Sequence, residues 1–250
     1  MSFENKVVLI TGASSGIGAA TAILFSQKGA NVVLVGRNET KLSDVANQCE
    51  DSLAIKADIT DLDDAKRIIE ETINTFGKID ILVNNAGIVR YASILDENVL
   101  ETFDELITTN LRSLFNMTRL AVPHLIGSKG NIINISSIAG KRIPDSRLVA
   151  YGISKAGVDN FTKGLALELS KYGVRVNTIS PGPVKTDILL NTGDETPWEC
   201  FSPLMPLGKV AESEDIANLV LFLAGEKAHS ITGVDYVVDN GVMLNREHRF

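Results

Sequence analysis

The chain has 250 residues, 44% hydrophobic and 22% charged, with a formal net charge of −7. These figures fit one α/β domain or two small ones with a substantial core, and they argue against nucleic acid as the main partner. No apolar run approaches the roughly 18 residues of a membrane span. Glu4 interrupts the start and the apolar run at 7–10 is too short for a signal peptide, while His248-Arg249-Phe250 is no organelle address, so a cytoplasmic location is expected. Cys49 and Cys200 lie far apart, and His124, His229 and His248 form no ligand pair. Free thiols and no metal site are expected.

In chain order, the first element is an apolar run at 7–10, three of whose four residues are β-branched, the pattern of a strand buried on both faces. Gly12, Gly16 and Gly18 end it, and Ile17, Ala20, Thr21, Leu24 and Phe25 then recur at helical spacing. Strand, glycine turn and helix together present backbone N–H groups and the positive end of a helix dipole to a phosphate. Gly12-Ala13-Ser14-Ser15-Gly16 also spells the nucleophile elbow of α/β-hydrolases, but an elbow needs an oxyanion loop from an earlier strand, and only a few residues precede Val7.

Further strands are predicted at 31–35, 53–57, 79–83, 131–135, 174–179 and 236–238. Helical faces separate them: Ala65, Ile68, Ile69, Thr72, Ile73 and Phe76 form one, and Val99, Leu100, Phe103, Leu106 and Ile107 run on into Leu111 and Leu114. Ser213 reads as the N-cap of a helix reaching about Ala224, with Glu214 and Asp215 in its first turn. The alternation predicts a single-domain, doubly wound fold over 1–250: a seven-stranded parallel sheet with helices on both faces. The one long irregular stretch, 186–209, holds Pro197, Pro203 and Pro206 amid apolar side chains and is expected to be a substrate lid.

Chemistry gathers at the predicted carboxyl edge of the sheet, where open α/β sheets bind ligands. The second strand ends in Gly36-Arg37, offering a guanidinium suited to a 2′-phosphate where an acid would select a free ribose. Asp58 closes the third strand, where it could meet an adenine amino group or cap the next helix. Asn84-Asn85-Ala86-Gly87 follows the fourth and Ser136-Ser137 the fifth. In Tyr151-Gly152-Ile153-Ser154-Lys155, the phenol and ammonium share one helical face, and an ammonium held nearby favours a phenolate. Lys141, Arg142 and Arg147 between them could form a basic rim for an acidic partner.

Taken together, Thr11-Gly12-x-x-x-Gly16-Ile17-Gly18, Asn84-Asn85-Ala86-Gly87, Asn110, Ser137, Tyr151-x-x-x-Lys155 and Pro181-Gly182 make the chain resemble the short-chain dehydrogenase/reductase family over its whole length. The resemblance implies a catalytic tetrad. Tyr151 would be the general acid/base and Ser137 would polarise the substrate oxygen. Lys155 would hold the nicotinamide ribose and lower the Tyr151 pKa, and Asn110 would position a water in a proton relay. It implies a cofactor lying along Gly12, Ser14, Ser15, Gly16, Ile17, Gly18, Arg37, Asp58, Asn85, Ala86 and Gly87, reaching Tyr151, Lys155, Pro181, Gly182, Val184 and Thr186. Gly36-Arg37 matches the NADP-preferring members, so NADP(H) is the expected cofactor, and many members of this branch are homotetramers.

The expected activity is interconversion of a small-molecule carbonyl and a secondary alcohol. Leu189, Leu190, Trp198, Phe201, Leu204, Met205 and Leu207, just past Pro181-Gly182, point to a lipophilic, steroid- or terpenoid-like substrate. The alternatives are a 3-oxoacyl-thioester reductase and a non-catalytic NADP-binding sensor on the same fold.

Overall fold

The computed structural model describes residues 2–192 and 196–244. The chain end at His248 and the middle of the 186–209 stretch, at 193–195, lie outside the described residues. Fourteen main elements alternate along the chain: β1 (Val7–Thr11), α1 (Gly16–Ser26), β2 (Asn31–Gly36), α2 (Glu39–Ala46), β3 (Ser52–Lys56), α3 (Leu62–Phe76), β4 (Ile81–Asn84), α4 (Val99–Ile107), α5 (Ser113–Ser128), β5 (Asn131–Ile135), α6 (Val149–Leu169), β6 (Arg175–Pro181), α7 (Ser213–Ala224) and β7 (Asp235–Val238). The strands form one parallel sheet in the order β3-β2-β1-β4-β5-β6-β7. The order reverses beside β1, so the carboxyl ends of β1 and β4 diverge and open a crevice between them.

Both faces of the sheet are covered, which is why its strands read as unbroken apolar runs. Val8, Ile10, Val32, Leu34 and Ile133 pack with Phe25, Ile216 and Val220 on one face; Val7, Leu9, Val33, Val35 and Ile132 pack with Ile68, Met117 and Leu165 on the other. Phe25 is fully buried and meets Phe3 edge-on at 4.8 Å. Truncating it to alanine would cost about 3–5 kcal/mol.

Local signals set the element ends. Asp61 caps α3, its Oδ1 accepting from Asp63 N at 2.8 Å and Asp64 N at 2.9 Å, and Gly77 ends the helix at φ 76°. The start of α7 corrects the expectation: the N-cap is Glu212, whose N–H donates to Asp215 Oδ2 at 2.9 Å, and Ser213 is already helical, its hydroxyl turned to Lys185 O at 3.1 Å. A carboxylate three residues on satisfies the orphan donor, and the serine is left for tertiary contact. The apolar stripe from Val99 through Leu114 is also not one regular helix. A π turn at Thr108–Arg112 separates α4 from α5 and bulges the backbone at Asn110.

One feature of the sheet interior is polar. Asn84 Nδ2 donates to Asn134 Oδ1 at 2.9 Å and to Thr118 Oγ1 at 3.0 Å. Asn134 Nδ2 donates to Thr162 Oγ1 at 2.8 Å, and Thr178 Oγ1 reaches the same hydroxyl at 2.7 Å. All five side chains are buried. No described helix is long and apolar enough to cross a membrane.

Candidate active site

The crevice is a cavity of about 990 Å³ over the carboxyl edge of the sheet. Its first wall is the turn after β1. Gly12 sits at φ 67°, and a Cβ there would lie 2.8 Å from Ala86 Cα. Only glycine allows that dihedral and that closeness together. Asn85 fixes the turn: its Nδ2 donates to Thr11 O at 3.0 Å and Gly12 O at 3.1 Å, while Thr11 Oγ1 accepts from Asn85 N at 3.0 Å and Ala86 N at 3.1 Å. The Asn85 side chain is therefore spent on the loop rather than turned to a ligand. Thr11, the other half of this clamp, carries in the sequence no signal beyond its place in the glycine motif.

Among the predicted cofactor residues, Gly12, Ser14, Ser15, Gly16, Ile17, Arg37, Asp58, Asn85, Ala86, Gly87, Pro181, Gly182, Val184 and Thr186 all line the cavity. Gly18 does not; it is buried, and a Cβ there would strike Gly12 O at 2.2 Å, so its role is to let α1 pack on β1. Ser15 precedes α1 without a side-chain cap, which leaves the first N–H groups of that helix unclaimed by side chains. Ser14 Oγ lies 3.2 Å from where a Cβ on Gly36 would be. Arg37 follows it, exposed and, among the described residues, without an ion-pair partner. Asp58 Oδ1 accepts from Thr60 N at 2.9 Å and Thr60 Oγ1 at 2.8 Å, so one of its oxygens is engaged in a local turn; the helix cap it might have supplied belongs to Asp61.

At the other end of the cavity the α6 helix brings Tyr151 and Lys155 to one face, both buried. Ser136 and Ser137 part company. Ser136 Oγ donates to Lys155 O at 3.1 Å, whereas Ser137 Oγ accepts from Ala139 N at 3.1 Å and hydrogen-bonds the Tyr151 phenol. Lys155 Nζ donates to Ile135 O at 3.1 Å and lies 5.8 Å from the Tyr151 ring centroid; a Cβ on Gly87 would be 3.3 Å from it. Burial pushes the phenol up to about 12, and the Ser137 hydrogen bond pulls against it without winning. Burial likewise pushes the Lys155 ammonium down to about 8, opposed by the Asp159 carboxylate. In the protein alone, two groups withdrawn from water each resist charge, and burial sets the direction of both shifts.

Asn110 does not line the cavity. Its Oδ1 accepts from Ile88 N at 2.8 Å, and its Nδ2 donates to Ile88 O at 2.9 Å and Ser154 Oγ at 3.1 Å. Both N–H groups of its amide and one lone pair of its oxygen tie the segment after β4 to α6.

The substrate end is walled by Val89, Tyr91, Leu148, Ile188, Leu189, Trp198 and Phe201. Of the seven apolar residues expected to form it, only Leu189, Trp198 and Phe201 do so. Leu204 and Met205 pack instead with Ile138 and Val242, and Leu190 and Leu207 are 64% and 69% exposed. The basic rim is also overturned. The Lys141 ammonium is bound by Asp159 and Asp235, and Arg147 pairs with Asp145 at 2.7 Å while lying 4.9 Å over the Tyr91 ring. Arg142 is engaged too. Lys141 is met by carboxylates 18 and 94 residues further on, and Arg147 by one two residues before it.

Comparison with known proteins agrees with this geometry. A family model described as enoyl-(acyl carrier protein) reductase matches residues 12–243. A 3-oxoacyl-[acyl-carrier-protein] reductase FabG of Thermotoga maritima is 37% identical, spanning 98% of this chain and 100% of its own length. An L-fucose dehydrogenase of Bos taurus is 37% identical over 97% of this chain and 91% of its own. A 7alpha-hydroxysteroid dehydrogenase of Paraclostridium sordellii is 39% identical over 96% and 93%. Among solved structures, a short-chain dehydrogenase/reductase of unknown function from Caenorhabditis elegans, determined with cofactor, superposes with a TM-score of 0.91 at 35% identity, covering 98% of this chain and 97% of its own.

Proposed function

The chain belongs to the short-chain dehydrogenase/reductase family and is an NAD(P)-dependent oxidoreductase acting on CH–OH/C=O groups of a small molecule, and from that premise we propose that it is an NADP(H)-dependent carbonyl reductase of lipophilic ketones. The observation that carries the reaction is the Ser137 hydroxyl against the Tyr151 phenol, with Lys155 behind, at the deep end of one cavity. The chain fits the nucleotide: a glycine cradle that a Cβ would fill, helix N–H groups that no side chain claims, and Ser14 and Arg37 flanking Gly36 where an acid would otherwise stand. The same three residues support NADP(H) over NAD(H), because a guanidinium and a hydroxyl suit a 2′-phosphate.

When bound, the nicotinamide supplies or takes the hydride. The chain's own residues do the rest. Ser137 holds the substrate oxygen by a hydrogen bond. Tyr151, protonated at neutral pH because burial holds its proton, gives that proton to the oxygen as the carbonyl becomes an alkoxide. In the oxidative direction the phenolate takes it back. Lys155 would hold a ribose hydroxyl of the cofactor, and it places positive charge beside the phenol. Asn110 serves as a brace between the 88 segment and α6.

Leu148, Leu189, Trp198 and Phe201 support a lipophilic substrate. The segment 186–209 acts as the lid over it. The second reading, a 3-oxoacyl-thioester reductase, draws on the Thermotoga relative, but the cations that would have received an acidic carrier are already paired. The test is kcat/KM with NADPH and NADP⁺ on a steroid or isoprenoid ketone, a small polar ketone, a sugar and a 3-oxoacyl thioester. A thioester or sugar that wins overturns the substrate class. A cytosolic homotetramer built through α4, α5 and α6 completes the proposal; Leu100, Phe115, Ile153 and Leu167 are exposed apolar side chains on those helices, and sedimentation at working concentration tests it.

A further inference from the structure

The turn between Ser137 and Tyr151 carries a charged cluster that the reaction does not consume. Ser137 opens the 3-10 turn Ile138–Gly140 and Lys141 closes it. The Lys141 ammonium reaches Asp159 Oδ2 on α6 at 2.9 Å, Ser180 Oγ on β6 at 2.9 Å, and Asp235 at the head of β7. Ser180 in turn donates to Asp235 Oδ1 at 2.8 Å. Both carboxylates are largely withdrawn from water, at 11% and 14% exposed. Asp159 stands one helical turn beyond Lys155 on the same buried face, and its Oδ1 has no hydrogen-bond partner among the described residues. The turn touches the helix there: a Cβ on Gly140 would lie 2.9 Å from Lys155 C and 3.2 Å from Asp159 Oδ2.

Two carboxylates largely withdrawn from water, shared by one partly exposed ammonium, carry a desolvation cost that apolar packing would avoid. What the arrangement gives in return is geometry. One cation joins the turn headed by Ser137 to the helix that carries Tyr151 and Lys155, and to two strands beneath. We propose that Lys141 is a positioning residue for the reaction: it fixes the Ser137 hydroxyl against the Tyr151 phenol and occupies the Asp159 carboxylate, so that Asp159 does not draw Lys155 from the Ile135 carbonyl. Its kinetic half rests on the carbonyl/alcohol reading; its electrostatic half does not. The charges facing Lys155 are Asp159 on its own helix, Lys141 and Asp235 behind, Asp104 and Glu105 of α4 across the cavity, and the mutually paired Asp145 and Arg147.

Lys141→Met removes the ammonium and keeps most of the volume; Lys141→Arg restores the charge. The first readout is the titration of Lys155 by carbon NMR of lysine labelled at Cε, assigned against Lys155→Met. With Asp159 uncompensated, that titration should move up by about one unit in Lys141→Met and stay near wild type in Lys141→Arg. The second is kinetic: kcat for a generic ketone should fall roughly 10- to 100-fold in Lys141→Met, with NADPH Kd and ketone KM within about threefold. A folded Lys141→Met protein with an unmoved Lys155 titration, or with unchanged kcat, overturns the proposal. If that variant does not fold, Asp159→Asn replaces it: removing the carboxylate should move the Lys155 titration down, and no movement overturns the proposal. If the wild-type chain turns over none of the test carbonyls, the functional reading fails, and the titration alone decides the role of Lys141.

Discussion

The glycine-loop wall of the cavity is held by a clamp of partly buried hydrogen bonds, whereas the 186–209 wall is held by packing at one end and by surface ion pairs at the other. On the first, Asn85 and Thr11 lock the turn with four bonds, each between 3.0 and 3.1 Å. On the second, Trp198 Nε1 donates to Thr186 O at 3.1 Å, Lys41 meets Asp187 at 2.5 Å with both side chains nearly half exposed, and Lys185 bridges Glu199 and Glu212. Exposed pairs of that kind contribute about 0–1 kcal/mol each. A wall that meets the same nucleotide at every turnover can be rigid; a wall that meets the substrate gains from being cheap to move. Perturbing the pinned region should therefore act alike on every substrate, and perturbing the lid should discriminate among them.

The largest expected effect lies in the pinned region. Tyr151→Phe should lower kcat by about 10²–10⁴-fold on every carbonyl tested while leaving NADPH Kd, read by cofactor fluorescence, nearly unchanged. A loss confined to one substrate would break the comparison. Because the free phenol stays protonated up to about 12, wild-type reduction should hold level from neutral to mildly alkaline pH, while oxidation, which needs the phenolate, should rise with pH. Next, Arg37→Asp should erase or reverse the NADP(H) preference, a change of about 10- to 100-fold in the ratio of kcat/KM values. Equal use of the two cofactors by the unaltered protein would refute the phosphate reading.

Lys155→Met should abolish efficient turnover and yet raise Tm by a few degrees at pH 7 in the cofactor-free protein. The lysine titrates near 8 when folded, against its ordinary 10.5, so the folded chain binds that proton less tightly than the unfolded one. Stability is therefore penalised below about pH 8 and recovers as pH rises towards 10.5, and the advantage of methionine should fade over that window. A variant that melts lower at pH 7 would assign Lys155 a structural role instead. On the lid, Trp198→Ala should raise KM for a lipophilic ketone by roughly tenfold and that of a small polar ketone far less, consistent with about 1–3 kcal/mol of apolar contact. Equal rises would mean that Trp198 merely holds the segment in place. Smallest of all, Lys41→Ala should change kcat and KM by no more than about fivefold, the ceiling for an exposed pair; a larger shift would show the two walls to be coupled through Asp187.

The same contrast explains how much could be read from the residues. The seven strands follow from short apolar runs whose residues are contiguous in the chain, while their order in the sheet is decided by tertiary packing; the cofactor wall follows from motifs a few residues long. The residues themselves leave Ser136 and Ser137 side by side, and the family resemblance chooses Ser137; their three-dimensional partners separate the two, since each hydroxyl's partner lies on α6 or in the turn after it. The lid was half legible. Its apolar content was visible, but whether Leu189 faces the cavity or Leu190 faces solvent depends on a 3-10 path that no periodicity announces. The basic rim misled for a related reason: Asp235, which binds Lys141, lies 94 residues away, and long-range pairing of charges leaves no local signature.

The buried amides and hydroxyls of the sheet have a consequence for how the chain finds its native alignment. Asn84 stands opposite Asn134, and Asn134 opposite Thr178, in the parallel registers of β4, β5 and β6. The rest of β4 and the centre of β5 are Val, Leu and Ile, which would pack almost equally well after a shift of two residues. Such a shift would set Asn134 against Leu82 in place of Asn84. Each stranded polar group would then cost about 1–3 kcal/mol. A ladder of three such groups, Asn84, Asn134 and Thr178, makes the misaligned sheet unstable, so these polar residues act as a proofreading mark beside aliphatic neighbours that carry little information about alignment.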